Sequence, residues 1–182
     1  MFNTGDIIVN NAGAFGHVAM CYDEEDADGV GAVTFIHGTN KGNFSIDEKV
    51  KVVDEVKENF WHFKPKNFTS DNKARIKAVA SAIQKSAKYG LYRAVRVLFS
   101  SGTFGKDAKA RLEKYRERYA KGGNKLVSTI TCTEAVVLCY QIIFEESSPY
   151  FVQKDAAHIF PRTLAEYLKA NPNGWITEQN PK

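Results

Sequence analysis

The 182-residue sequence has little of what marks several common protein classes. It contains three cysteines, an odd number without a repeated spacing, which argues against a disulfide framework and indicates free thiols. No apolar run approaches the roughly 20 residues that span a bilayer, and the N-terminal residues show no Sec-type signal. We therefore expect synthesis in the cytoplasm, no stable membrane insertion, and export, if any, by a route other than Sec.

A strong charge imbalance is also missing. The formal net charge is +4, and the densest basic stretch, residues 106–125, is interleaved with Asp107, Glu113 and Glu117. This pattern is typical of a solvated helix face, so we expect no nucleic-acid partner. The mild positive balance favours an anionic substrate or surface, such as a cell wall or acidic lipid. Without repeats or a long linker, the chain is expected to form one domain, residues 1–182.

The order of patterns along the chain predicts strands first and helices later. Alternating or β-branched segments predict the strands and periodic apolar stripes predict the helices, whereas residues 91–99 are apolar and ambiguous. The predicted strands are 6–9, 15–22, 30–37, 49–53 and 59–66, and the predicted helices are 71–88, 106–120, 131–144 and 161–170. The expected class is α+β, with an antiparallel sheet packed against helices.

Cys132 is the strongest candidate nucleophile. It lies in the first turn of a predicted helix, where unpaired N–H groups and the positive end of the dipole favour a thiolate, so a lowered pKa is expected. The alternative is a core cysteine, since Cys132 lies three residues before Ala135 on the apolar stripe. Thr131 and Thr133 place hydroxyls on either side, which is unusual for a core. Cys139, in the apolar middle of the same helix, is the better structural cysteine.

Two histidines are candidates to act on that thiol. His17 opens one predicted strand and His37 ends the next, so pairing of these strands would bring the two rings together, with His37 orienting His17. A zinc site is the alternative, but His17 and Cys21 are four strand residues apart, about 13 Å. Zinc ligands lie within about 2.3 Å of the ion, so we expect no metal, and no cofactor.

The remaining polar candidates have weaker patterns. His62 lies among aromatic residues and is expected to pack, and His158 is expected to be structural. Asp6 is expected to cap a turn. Tyr89, Thr131 and Thr133 are candidate oxyanion or substrate-binding groups, because their hydroxyls can donate to a developing negative charge.

Taken together, three motifs resemble the NlpC/P60 papain-like cysteine peptidases. They are GDIIV at 5–9 followed by GHVAM at 16–20, FIHG at 35–38, and TCTEA at 131–135. Ordinary members place the cysteine before the histidine, so this order resembles the circularly permuted branch, which includes YiiX-like, YaeF-like and lecithin:retinol acyltransferase-like proteins. HIFPRTL at 158–164 is similar to a segment that follows the permuted cysteine. The chain departs from the pattern at His37, where many permuted members carry Glu.

The resemblance implies a cysteine hydrolase that cleaves an amide bond with Cys132 as nucleophile, His17 as base and His37 as orienting group. The implied substrate is a peptidoglycan stem peptide, and by analogy the protein is a secreted antibacterial effector with an immunity or inhibitor protein as partner. One alternative is a lipid acyl hydrolase or acyltransferase of the lecithin:retinol acyltransferase-like type. Another is a non-catalytic binding module with the same fold.

Overall fold

The computed structural model describes residues 1–10, 16–24, 32–39, 42–48, 60–90, 102–122 and 125–179. Strands dominate the first part and helices the second. The strands are β1 (Ile7–Asn10), β2 (His17–Asp23), β3 (Thr34–Gly38), β4 (Phe44–Glu48), β5 (Trp61–Pro65), β6 (Lys88–Tyr89), β7 (Thr129–Ile130) and β8 (Trp175–Gln179). The helices are α1 (Ser70–Ser86), α2 (Lys106–Ala120), α3 (Cys132–Ile143) and α4 (Pro161–Lys169), with a 3-10 turn at Ala156–His158.

Six strands form one sheet in the order β4-β3-β2-β1-β5-β8, and every neighbouring pair is antiparallel. Strands β6 and β7 form a separate parallel pair. The predicted α+β class, with an antiparallel sheet packed against helices, is therefore confirmed. Within the described ranges, no helix is long and apolar enough to cross a membrane.

The strands alternate their side chains between the two faces of the sheet. Each face contributes to an apolar cluster. On one face, residues such as Val18, Met20 and Ile36 join the main core with the apolar sides of the helices. The other face carries a smaller cluster in which Ala19 and Phe35 pack with residues that include Phe2.

Helix α3 is buried along its whole length. Its final carbonyl groups, which no helical N–H reaches, accept hydrogen bonds from two arginines instead. Arg75 donates to the carbonyl of Ile143 at 2.6 Å, and Arg116 donates to those of Gln141 and Phe144 at 2.9 and 2.6 Å. Cations at this end complement the helix dipole.

Several local predictions need correction. Asp71 lies in the first turn of α1, but the N-cap is Thr69, whose hydroxyl accepts from the Asn72 amide. Helix α3 is capped by Thr131 rather than by residue 128 or 129, because residue 129 pairs with β6. Strands β4, β6, β7 and β8 were not predicted: β6 and β7 have two residues each, and β4 and β8 have two apolar residues each. The predicted strand 49–53 and the ambiguous segment 91–99 lie outside the described residues.

The arginine at the end of α3 gives a stability prediction. We expect Arg116→Lys to lower the free energy of unfolding by about 1–3 kcal/mol, because an ammonium cannot reproduce the forked contact with two buried carbonyls. Arg162→Lys is the matched control, since Arg162 is exposed and its partner among the described residues is the exposed Glu166. Urea unfolding measures both variants. Equal losses in the two would contradict the capping role of Arg116.

Candidate functional site

The three cysteines are buried free thiols. Cys132 is the first residue of α3, and the Thr131 hydroxyl caps this helix by accepting from the Glu134 amide at 3.2 Å. Cys139 lies in the middle of the same helix and Cys21 in the sheet. Cys132 is therefore the cysteine whose backbone lies at the positive end of a helix dipole.

The sulfur of Cys132 lies where β2 and β3 separate. The backbone amide of Cys21 donates to the Asp6 carbonyl, on the side of β2 that faces β1. Because the amides of successive strand residues point to opposite sides, the amide of Val18, three residues earlier, points toward β3. The last pair at this end of the β2–β3 ladder is Ala19–His37, one residue before Val18 would pair with β3. The Val18 amide donates to the Cys132 sulfur instead.

The position of the Cys132 sulfur relative to the two faces of the sheet follows from this contact. His17 and His37 share the strand face of Ala19 and Phe35, whereas Cys132 belongs to the core on the helix side. A sulfur that accepts from a strand amide lies near the plane of the sheet, at its split. The described contacts of Cys132 there are with Val18 of β2 and with Tyr89, whose ring covers Gly38 at the end of β3.

The rings of His17 and His37 are in contact, as the sequence predicted. Their centroids are 5.6 Å apart and the rings are nearly perpendicular. Asp47 of β4, which the sequence did not single out, lies on the other side of His37, with its carboxylate 3.1 Å from Nε2. His37 is almost fully buried, so this carboxylate fixes the orientation of its ring. A signal for Asp47 would have required knowing that β3 pairs with β4.

Tyr89 is the predicted hydroxyl that the fold places at the sulfur. Its oxygen is 3.9 Å from Cys132 Sγ, a long contact even for sulfur. The ring lies directly over Gly38, where an added Cβ would be 2.3 Å from a ring carbon. It also packs edge to face on Phe44 at 5.8 Å. Gly38 is therefore required for the observed position of Tyr89.

The expected fall in the pKa of Cys132 is not observed. Burial raises the pKa of this thiol above its ordinary value, and hydrogen bonds from the Val18 amide, Tyr89 and Thr133 offset only part of that effect. Burial also raises the pKa of Tyr89, and the neighbouring sulfur adds to the rise. The thiol is thus protonated at neutral pH, and any reaction at the sulfur needs a group that takes this proton.

The two predicted threonines have different surroundings. The Thr131 hydroxyl accepts from the Glu134 amide as the helix cap. Thr133 contacts the Cys132 sulfur through both its side chain and its backbone amide. Glu134, two residues after the cysteine, is fully buried. Of the two threonines, Thr133 is the one with a contact to the candidate nucleophile.

His17 owes its position to the residue before it. Gly16 has φ +62°, and an added Cβ would lie 2.4 Å from the Asn10 carbonyl oxygen. The same atom would be 3.1 Å from Pro161, the first residue of α4. Gly16 thus lets the start of β2 lie in close contact with Asn10 and with the first residue of α4.

Of the other two histidines, His62 packs against Phe2 as predicted, and both form an ion-pair contact with a carboxylate. His62 Nε2 lies 2.7 Å from the Asp6 carboxylate, which also accepts from the Asn3 amide in the predicted turn role. His158 Nδ1 lies 2.8 Å from Asp155, the cap of the 3-10 turn. Among the residues that the structure describes, no group of three or more His, Cys, Asp or Glu is arranged to hold a metal ion.

Comparison with known proteins gives no relative for this arrangement. No protein-family model matches the chain, and no curated protein or solved structure matches it.

The contacts of Cys132 predict its titration. We expect its alkylation by iodoacetamide, followed by mass spectrometry of each cysteine, to keep accelerating above pH 9.0, the ordinary thiol value. Tyr89→Phe removes a hydrogen bond to the thiolate and should move the profile to still higher pH.

Gly38→Ala is the companion variant, because it displaces the Tyr89 ring without removing its hydroxyl. It should shift the profile in the same direction. A plateau below pH 9.0, or a profile that neither variant moves, would contradict the described contacts.

Proposed function

We propose that the protein is a cysteine hydrolase of the circularly permuted NlpC/P60 papain-like type that cleaves an amide bond. Cys132 is the nucleophile, His17 the base and His37 a positioning residue held by Asp47. The observation that carries the proposal is the hydrogen bond from the Val18 amide to the Cys132 sulfur, which puts the thiol next to the residue that follows His17 in the chain.

The proposed reaction begins with the protonated thiol. The sulfur attacks the substrate carbonyl carbon while its proton passes to the His17 ring. The tetrahedral intermediate breaks its C–N bond, and the amine leaves with the proton from His17, so a thioester remains on Cys132. Water then attacks the thioester and gives one proton to His17. The C–S bond breaks, a carboxylic acid leaves, and the Cys132 sulfur takes the proton back from His17. Tyr89, Thr133 and N–H groups of the first helical turn are the candidate oxyanion donors.

Two contacts support the permuted papain-like assignment. The hydroxyl of Tyr140 on α3 donates to the Gly5 carbonyl, which ties the nucleophile helix to the Gly5–Asp6 turn before β1. Pro161 packs beside Gly16, at the start of the strand that carries His17. Both contacts join segments that resemble motifs of the family, although they are distant in the sequence.

We propose a peptidoglycan stem peptide as the substrate, because the net positive charge favours an anionic polymer. An effector role with an immunity protein follows only by analogy.

For the lipid hydrolase or acyltransferase alternative, an exposed apolar surface would be the supporting observation. Met1 and Ile176 are the exposed large apolar residues within the described ranges, so this surface is not found there. The binding-module alternative predicts that loss of the thiol has no effect.

The first test is cleavage of purified muropeptides followed by liquid chromatography and mass spectrometry. We expect Cys132→Ala to lower kcat/KM by at least about a thousandfold, because the acyl-enzyme can no longer form. Cys139→Ala is the matched control, since it makes the same change on the same buried helix. Equal activity of the two variants would reject the hydrolase. Cleavage of phospholipid vesicles without cleavage of muropeptides would favour the lipid alternative.

Asp47 is tested through its effect on His37. We expect Asp47→Asn to lower kcat at least about tenfold with little change in KM, and to shift the pH profile of kcat, because the ring loses its fixed orientation. Asp107→Asn makes the same change in the first turn of α2 and is the control. An unchanged pH profile for Asp47→Asn would remove the positioning role.

A further inference from the structure

A second feature lies apart from Cys132. A cavity of about 900 Å³ opens where the C-terminal ends of α1 and α2 meet the segment that leads into β7. Four cationic side chains line it, and no described lining residue is acidic. They are Lys85 of α1, Arg118 of α2, and Lys121 and Lys125 beyond the end of α2.

The lysines of this cavity differ from the paired lysines of the two helices. Lys85, Lys121 and Lys125 form no ion pair within the described part of the chain, and Arg118 donates to the Leu126 carbonyl at 3.4 Å. Elsewhere, lysines on the same helices are paired, such as Lys77 with Asp23 and Lys109 with Glu146. Four like charges around one cavity repel one another, and a bound anion would relieve that repulsion.

Helix ends explain only part of the cluster. Cations in the last turn of a helix complement its dipole, which accounts for Lys85 and Arg118. Lys121 is the C-cap of α2 and lies at the same negative end of the dipole, whereas Lys125 lies beyond it. Lys125 moreover has φ +114°, a backbone conformation that a residue with a side chain rarely adopts and that costs about 1–3 kcal/mol. The chain thus brings a fourth cation to the cavity in a strained conformation.

The shape of the site favours a compact ligand over a polymer. A nucleic acid or a membrane would need an extended basic face, whereas α2 intersperses its basic residues with Asp107, Glu113 and Glu117. The four cations converge on one concavity instead. Lysines act as point charges for phosphate groups, and an arginine can bind two phosphate oxygens at once.

We propose that this cavity is a binding site for a soluble phosphorylated small molecule that carries two or more negative charges, such as a diphosphate group. The site is distinct from Cys132. Cys132, His17, His37 and Tyr89 are not among the described residues that line the cavity. Binding here does not depend on the proposed hydrolase activity.

Inorganic pyrophosphate is the probe, and isothermal titration calorimetry at about 50 and about 200 mM salt is the measurement. We expect the wild-type chain to bind it in a saturable, salt-sensitive way. Lys121→Gln/Lys125→Gln should weaken binding by at least about tenfold, because two charge-assisted contacts are lost. Lys106→Gln/Lys114→Gln is the control, since it removes two lysines of α2 that do not line the cavity. It should leave the affinity within about twofold.

Three results would overturn the proposal. The first is no binding of pyrophosphate by the wild-type chain at the lower salt concentration. The second is an equal loss in the two double variants, which would reduce the effect to net charge. The third is binding to a single-stranded RNA or to vesicles containing phosphatidylglycerol in the absence of pyrophosphate binding. Circular dichroism of each variant confirms that a lost affinity is not a lost fold.

Discussion

The candidate site depends on one backbone N–H of the sheet, that of Val18, whose hydrogen bond is accepted by a helix residue instead of by the neighbouring strand. The β2–β3 ladder ends at Ala19–His37, and the next amide, that of Val18, donates to the Cys132 sulfur instead. If the ladder continued by one pair, a carbonyl would take the place of the sulfur. The Cys132 sulfur would then lose its hydrogen bond to the backbone of β2. The early end of the ladder is thus what lets the first residue of α3 bond to this strand.

Two opposing effects act on the pKa of the Cys132 thiol, and burial is the larger. Helix α3 has its positive end at Cys132 and arginines at its carbonyl end, an arrangement that favours a thiolate. The sulfur is nevertheless only 5% exposed, and loss of hydration raises its pKa. A thiol in this condition is inert without a base. We propose that His17 at the end of β2 is that base, next to His37 and its partner Asp47.

The sequence carried the local parts of this arrangement and not the pairings. Residues 106–120 form a helix with the predicted bounds because their pattern is regular, and the contact of His17 with His37 follows from pairing of two adjacent strands. Asp47 was missed because its role depends on β4, a five-residue strand with two apolar residues that was not predicted. The capping role of Thr131 was missed because β7 pairs with β6, 41 positions away along the chain (Thr129 with Lys88). The raised pKa of Cys132 depends on burial by distant elements, which no local pattern records.

Histidine NMR tests the central claim most directly, because the chain has four histidines and their ring signals can be assigned by substitution. If the Cys132 sulfur lies at the split between β2 and β3, Cys132→Ala will shift the ring signals of His17 and His37 and leave those of His62 and His158 in place. Cys139→Ala, the same change seven residues further along α3, will move neither pair. The account would be contradicted if the ring signals of His17 and His37 did not shift in Cys132→Ala, or if they shifted equally in both variants.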